Sequence, residues 1–71
     1  MELDLGLLRK LLSKRTDEIE KSVNGTGYLA KTVIGVATFL LDNEGDIDLL
    51  SGKQLVIFEK FIKPLLAVSS R

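Results

Sequence analysis

The chain is short, electrically balanced and free of cysteine and histidine, and these properties exclude several classes of protein. Its 71 residues suffice for one small domain, residues 1–71, with a marginal core, because a chain of this size buries only about 60% of its unfolded surface. Without cysteine or histidine it forms neither a disulfide nor a Cys/His zinc site. Ten basic and ten acidic residues cancel, so no overall charge attracts nucleic acid or an anionic membrane.

The sequence predicts no targeting or membrane segment. Glu2 and Asp4 precede the first basic residue, Arg9, whereas a signal peptide begins with basic residues and continues as an unbroken apolar run. The most apolar window, 28–41, is about fourteen residues long, against the roughly 20 that a spanning helix needs. We therefore expect a soluble cytoplasmic protein with no membrane contact.

The first predicted helix covers residues 4–23. At 100° per residue, one narrow apolar stripe is formed by Leu5, Leu8, Leu12, Ile19 and Val23. The opposite side carries Lys10, Lys14, Asp17 and Lys21. This separation is typical of an amphipathic helix with one solvated face. Asn24 and Gly25 end the helix, because both residue types tolerate the left-handed conformation of a C-cap.

The second predicted helix covers residues 27–41, with Thr26 as its N-cap. Its broad apolar side consists of Leu29, Ala30, Val33, Ile34, Val36, Ala37, Leu40 and Leu41. A separate stripe, beside the polar side, consists of Tyr28, Thr32, Gly35 and Phe39. The spacings of 4, 3 and 4 in this stripe are those of a straight seam along a helix.

A loop at 42–52 leads to a third predicted helix, 52–63. In the loop, Leu49 and Leu50 are expected to contact the core. The order Ser51-Gly-Lys-Gln54 is a capping-box pattern at the start of an apolar run. Pro64 disfavours helix at the residue before it and predicts a short, kinked C-terminal turn. The expected fold is all-α, a three-helix bundle-like domain whose first two helices form an antiparallel hairpin.

The stretch "GTGYLAKT", 25–32, is similar to the phosphate-binding pattern G-x-x-x-x-G-K-[ST], with Ala30 in place of the second glycine. In a P-loop this stretch follows a buried strand, but here it follows the charged helical stretch "TDEIEKSVN". The glycines at 25 and 27 are better interpreted as a tight turn, and no nucleotide or other cofactor is expected.

The carboxylates of the 42–52 loop predict neither a metal site nor catalysis. An EF-hand loop that begins at Asp42 requires Gly at position 6 and Glu at position 12, where this chain has Ile47 and Lys53. The acids lie in a solvated loop or on exposed helix faces, where nothing raises a pKa into a catalytic range. We therefore expect no enzymatic activity.

The favoured function is binding to another protein, or to a second copy in a homodimer, through Tyr28, Thr32, Gly35 and Phe39. Gly35 costs a helix about 1 kcal/mol relative to alanine, which is understandable if a partner approaches the backbone there. Two aromatic rings on either side of a small residue provide anchors for another helix. The competing interpretation is that Leu65, Leu66 and Val68, after Pro64, cover this flank within one chain.

The second functional hypothesis is a nucleic-acid-binding module. Its candidate contacts are basic residues of the first predicted helix, Arg9, Lys10, Lys14 and Lys21. Lysine and arginine bind phosphates, but Asp17, Glu18 and Glu20 dilute this basic face. The second predicted helix is too apolar to present polar groups to base edges in a major groove. Protein binding therefore ranks first.

Overall fold

The computed structural model describes residues 3–68, and this part of the chain is helical, without strands. The all-α prediction is confirmed. In chain order the elements are α1 Leu5–Lys14, α2 Thr16–Val23, α3 Ala30–Asp42, a 3-10 turn Ile47–Leu49, α4 Gly52–Ile57, a π-helical turn Phe58–Ile62 and α5 Lys63–Val68. Over residues 3–68, none of these helices combines the length and the apolar character needed to cross a bilayer. The count of three helices is wrong in detail, because the first predicted helix is divided and the third is longer.

The first predicted helix is broken at Arg15, which separates α1 from α2. Arg15 leaves the helical conformation, with φ −125° and ψ 29°. A straight helix of 20 residues is about 30 Å long, and the whole molecule extends over 29 × 29 × 17 Å. The break lets the chain turn so that both halves pack against α3. Asp17 and Glu18, in the first turn of α2, mark this new start, because acids favour a helix N-terminus.

The second predicted helix begins three residues late, at Ala30. Gly27 has φ 85°, a left-handed conformation that no α-helix contains. Thr26 is therefore not the N-cap; Leu29 takes that position, with φ −102° and ψ 140°. The predicted end of the preceding helix is confirmed, since α2 stops at Val23 and Gly25 has φ 81°.

The third predicted helix extends past its expected end, through Pro64 to Val68. The capping box is present: the backbone N–H of Gln54 donates to Ser51 Oγ at 3.3 Å, and the backbone N–H of Ser51 donates to Gln54 Oε1 at 2.9 Å. Pro64 has no N–H, and in a regular helix its ring crowds the carbonyl four residues earlier. In the preceding π turn the N–H of Lys63 donates to the carbonyl of Phe58. This wider turn accommodates the proline, so the helix continues.

The core is apolar, with no buried polar or charged residue among those described. α3 packs against α1, α2, α4 and the π turn, whereas α5 packs against α1. The buried side chains are Leu8, Leu11, Ile19, Val23, Val33, Val36, Ala37, Leu40, Ile57, Phe58, Phe61, Ile62 and Leu66. In α1 the buried leucines are Leu8 and Leu11, whereas Leu5 and Leu12, placed in the predicted stripe, are half-buried.

The loop between α3 and α4 contacts the core through two apolar residues. Ile47 and Leu50 pack against the buried cluster. The sequence prediction was correct for Leu50 but wrong for Leu49, which is 51% exposed. The 3-10 turn rotates Leu49 outward, because side chains only two residues apart point in different directions on a helical turn.

Candidate protein-binding surface

The loop between α2 and α3 positions two exposed apolar side chains, Tyr28 and Leu29. Thr26 fixes this loop: its hydroxyl donates to the carbonyl of Val23 at 2.6 Å and accepts from the backbone N–H of Tyr28 at 3.1 Å. These hydrogen bonds, together with the positive φ of Gly25 and Gly27, turn the chain, which then reaches the start of α3 in an extended conformation at Leu29. We call Tyr28 and Leu29 together the Tyr28–Leu29 ridge.

The ring of Tyr28 is held in place although it is 37% exposed. It meets Phe61 edge to face, with ring centroids 5.1 Å apart and an interplanar angle of 65°. Lys60 places its ammonium nitrogen 5.8 Å from the centroid of the Tyr28 ring, within the range of a cation–π interaction. One side of the ring thus rests on the core element that contains Phe61, and part of the ring remains open to solvent.

Leu29 is 59% exposed, the largest exposed fraction of any large apolar residue in the described part of the chain. The sequence pattern placed it on the buried side of a helix, and that prediction was wrong. The late start of α3 explains the difference, because a residue in extended conformation does not follow the helical periodicity. Leu29 makes no side-chain capping hydrogen bond, since a leucine side chain has no acceptor.

A shallow apolar hollow of about 370 Å³ lies beside Tyr28. Its other lining residues are Lys53, Val56 and Ile57 of α4. Val56 is 47% exposed and was absent from the sequence-based candidates. The signal that identifies it is spacing: Val56 follows Lys53 by three residues and precedes Lys60 by four, which places it on the solvated side of its helix.

A second hollow, of about 530 Å³, lies on the α2 side of the same ridge. It is lined by the loop, by Tyr28 and Leu29, and by three charged residues of α2, Asp17, Glu20 and Lys21. The ridge therefore separates a side that carries two carboxylates and one ammonium from a side that carries the lysines at 53 and 60.

The predicted seam is divided between the loop and α3. Thr32 and Gly35 are exposed on α3, and Phe39 is half-buried. Tyr28, however, lies two residues before α3 begins, so the 4, 3, 4 spacing does not describe one helix. A Cβ added to Gly35 meets no described atom within 4 Å. The flank is thus open at Gly35. Of the three residues expected to cover it, Leu66 is buried and Leu65 packs against the buried cluster, whereas the side chain of Val68 lies outside the described part of the structure.

The basic residues of the nucleic-acid hypothesis lie on two helices. Arg9, Lys10 and Lys14 are exposed on α1, and Lys21 is exposed on α2. The break at Arg15 separates Lys21 from the others, so these four residues do not form one continuous helical face.

The acidic 3-10 turn lines a third hollow, of about 390 Å³, with α4 and the π turn. The carboxylate of Asp46 accepts a hydrogen bond from the backbone N–H of Asp48 at 3.1 Å, and Glu59 and Lys63 also line the hollow. Within residues 3–68, no three carboxylates converge in the manner of a metal site.

The fold and this surface define a small all-α protein with an exposed apolar ridge, which has two carboxylates and one ammonium on its α2 side and two lysines on its α4 side. Comparison with protein-family models, with curated proteins and with solved structures finds no match to this chain.

Proposed function

We propose that this protein is a non-catalytic cytoplasmic interaction or regulatory protein that binds another protein through the Tyr28–Leu29 ridge. The binding surface continues onto the exposed flank of α3, where Thr32 follows Leu29 by three residues and Gly35 follows Thr32 by three. Phe39 lies one further turn along the same flank. The proposed binding requires no cofactor.

The observation that carries the proposal is the presence of Leu29 at an N-cap. Serine, threonine, asparagine or aspartate at this position accepts a hydrogen bond from the first helical turn, and replacing such a residue with alanine costs about 0.5–2 kcal/mol. Leu29 makes no such bond and also exposes most of its side chain. Positions at which the residue present lowers the stability of the fold are commonly functional sites.

Tyr28 provides a second reason to expect binding here. Tyrosine is enriched among the residues that dominate binding energy at protein interfaces. Its contact with Phe61 restricts the ring before a partner arrives, so binding has less conformational entropy to remove. The partly exposed ring is therefore suited to act as an anchor.

The test uses Leu29→Ser, a variant in which stability and binding should change in opposite directions. Serine caps α3, so the free energy of unfolding should rise by about 0.5–1 kcal/mol. Affinity capture from the source cells, quantified by mass spectrometry, should lose the partners of the wild-type chain. Leu49→Ser is the matched control: it removes another half-exposed leucine, one that lines neither hollow beside the ridge, and should retain every partner. If Leu29→Ser captures the same partners as the wild type, the proposed surface is wrong.

The exposure of Arg9, Lys10 and Lys14 on α1 keeps nucleic-acid binding as the second candidate. If three phosphates of duplex DNA are contacted, the logarithm of the association constant should fall with the logarithm of the salt concentration with a slope of about −2.7. Apolar protein contacts depend little on salt. Fluorescence anisotropy with labelled DNA and RNA at several salt concentrations measures this slope. Binding with that slope, abolished by Lys10→Gln and Lys14→Gln together, would place this candidate first.

A further inference from the structure

Building on the proposed function, we infer that the Tyr28–Leu29 ridge binds a second copy of this chain, about a two-fold axis that runs along the ridge. The arrangement of charge around the ridge and the apolar residues at its centre both favour a second copy as the partner.

The two sides of the ridge carry complementary charges. On the α2 side, Asp17 and Glu20 line the hollow, together with Lys21. On the α4 side, Lys53 lines the apolar hollow and Lys60 lies over the Tyr28 ring. No carboxylate is among the described residues that line the α4-side hollow.

A two-fold axis along the ridge places each side of one copy against the opposite side of the other. In such an isologous interface one surface must be complementary to itself. Here Asp17 and Glu20 of each copy would face Lys53 and Lys60 of the other, twice in one dimer. A partner with a uniform charge would be repelled by one side of the ridge, whereas a second copy presents the opposite net charge to each side, since Lys21 offsets only one of the two carboxylates on the α2 side.

The centre of the same surface is apolar and open. Tyr28 and Leu29, which form the ridge, are 37% and 59% exposed, and Val56, which lines the hollow beside it, is 47% exposed. A standard interface buries about 800 Å² per partner, roughly a sixth of the 4675 Å² of accessible surface of this chain. Such burial also adds apolar contacts to a core that is marginal at this length.

The experiment combines analytical ultracentrifugation with a pair of charge-reversal variants of the full chain. One variant carries Asp17→Lys and Glu20→Lys, and the other carries Lys53→Glu and Lys60→Glu. All four positions are exposed, so both variants should keep the helical circular dichroism spectrum of the wild type. The wild type should dimerise with a dissociation constant below about 1 mM.

Each variant alone should self-associate at least about tenfold more weakly than the wild type, because like charges then meet across the interface. An equimolar mixture of the two should regain the dimer, since lysines at 17 and 20 then face glutamates at 53 and 60, and the native pairing holds on the other side. A matched control with Lys10→Glu and Lys14→Glu, exposed on α1, should dimerise like the wild type.

Three results would overturn the inference. A wild type that stays monomeric at about 1 mM excludes the second copy as partner, and the Leu29→Ser capture then decides the proposed function separately. Dimers that persist in both charge-reversal variants show a different interface. A mixture that stays monomeric contradicts the two-fold arrangement about this ridge.

Discussion

Arg15 donates a hydrogen bond from Nη2 to the main-chain oxygen of Leu65, at 3.2 Å, and so joins two residues fifty positions apart. The same guanidinium holds Glu18 with two further hydrogen bonds, from Nε at 2.8 Å and from Nη2 at 2.6 Å. The side chain of Arg15 is only 12% exposed. This residue therefore connects the break between α1 and α2 to the C-terminal helix α5.

Replacing Arg15 should destabilise the fold by an amount that depends on the new side chain. Arg15→Ala removes both the hydrogen bonds of a charged group and the packing of the aliphatic stem, and should lower the free energy of unfolding by about 2 kcal/mol. Both replacements remove Nη1, which is buried without a partner in the described part of the structure, but only Arg15→Met keeps an apolar stem. Urea denaturation should therefore find Arg15→Met more stable than Arg15→Ala. Equal stability of the two variants, or the reverse order, would show that packing of the stem does not stabilise the fold.

The Arg15–Glu18 pair should make stability depend on pH in the acid range. The hydrogen bond from Arg15 lowers the pKa of Glu18 below its ordinary value of 4.5 and raises the pKa of Arg15. A carboxyl whose pKa is lower in the folded state stabilises the protein above its unfolded pKa, and this contribution is lost as the pH falls through the folded pKa. Stability measured from neutral pH to about pH 3 should therefore fall less steeply in Glu18→Gln than in the wild type. Glu20→Gln, which removes an exposed carboxylate of the same helix, is the control, and equal slopes in the two variants would contradict the assignment.

The capping box at the start of α4 should contribute measurably to stability. Ser51→Ala removes the acceptor of the Gln54 N–H and should cost about 1 kcal/mol of unfolding free energy. Ser13→Ala is the matched control, because Ser13 is exposed within α1, where alanine favours the helix. Thermal denaturation followed by circular dichroism compares the two. A loss as large in Ser13→Ala would show that the effect does not come from capping.

Gly35 and Gly27 should respond in opposite directions to replacement with alanine. Gly35→Ala introduces a Cβ into open space inside α3 and should stabilise the protein by about 0.5–1 kcal/mol. Gly27→Ala should destabilise it, because alanine is strained at φ 85°. Denaturation measures both changes. If Gly35→Leu also leaves partner binding intact, close approach of a partner at Gly35 is excluded and binding depends on the ridge alone.

Local signals in the sequence were sufficient for the fold class and for several helix ends. Apolar periodicity predicted an all-helical chain, the order Ser51-Gly-Lys-Gln54 predicted the start of α4, and Asn24 with Gly25 predicted the end of α2. These features depend on hydrogen bonds and backbone conformations within a few residues, so the local sequence contains the information that they require.

The tertiary structure alone decided where the first helix breaks and which apolar residues remain exposed. The periodicity of α1 and α2 permits one continuous helix, and the break at Arg15 reflects the small size of the core around which both halves pack. Tyr28 and Leu29 leave the helix because Gly27 adopts a positive φ, a choice that glycine permits but does not impose. The contact of Tyr28 with Phe61 and the hollow that Tyr28 shares with Val56 join segments that are far apart in the chain. Such contacts depend on how all the helices pack together, and no short stretch of sequence specifies them.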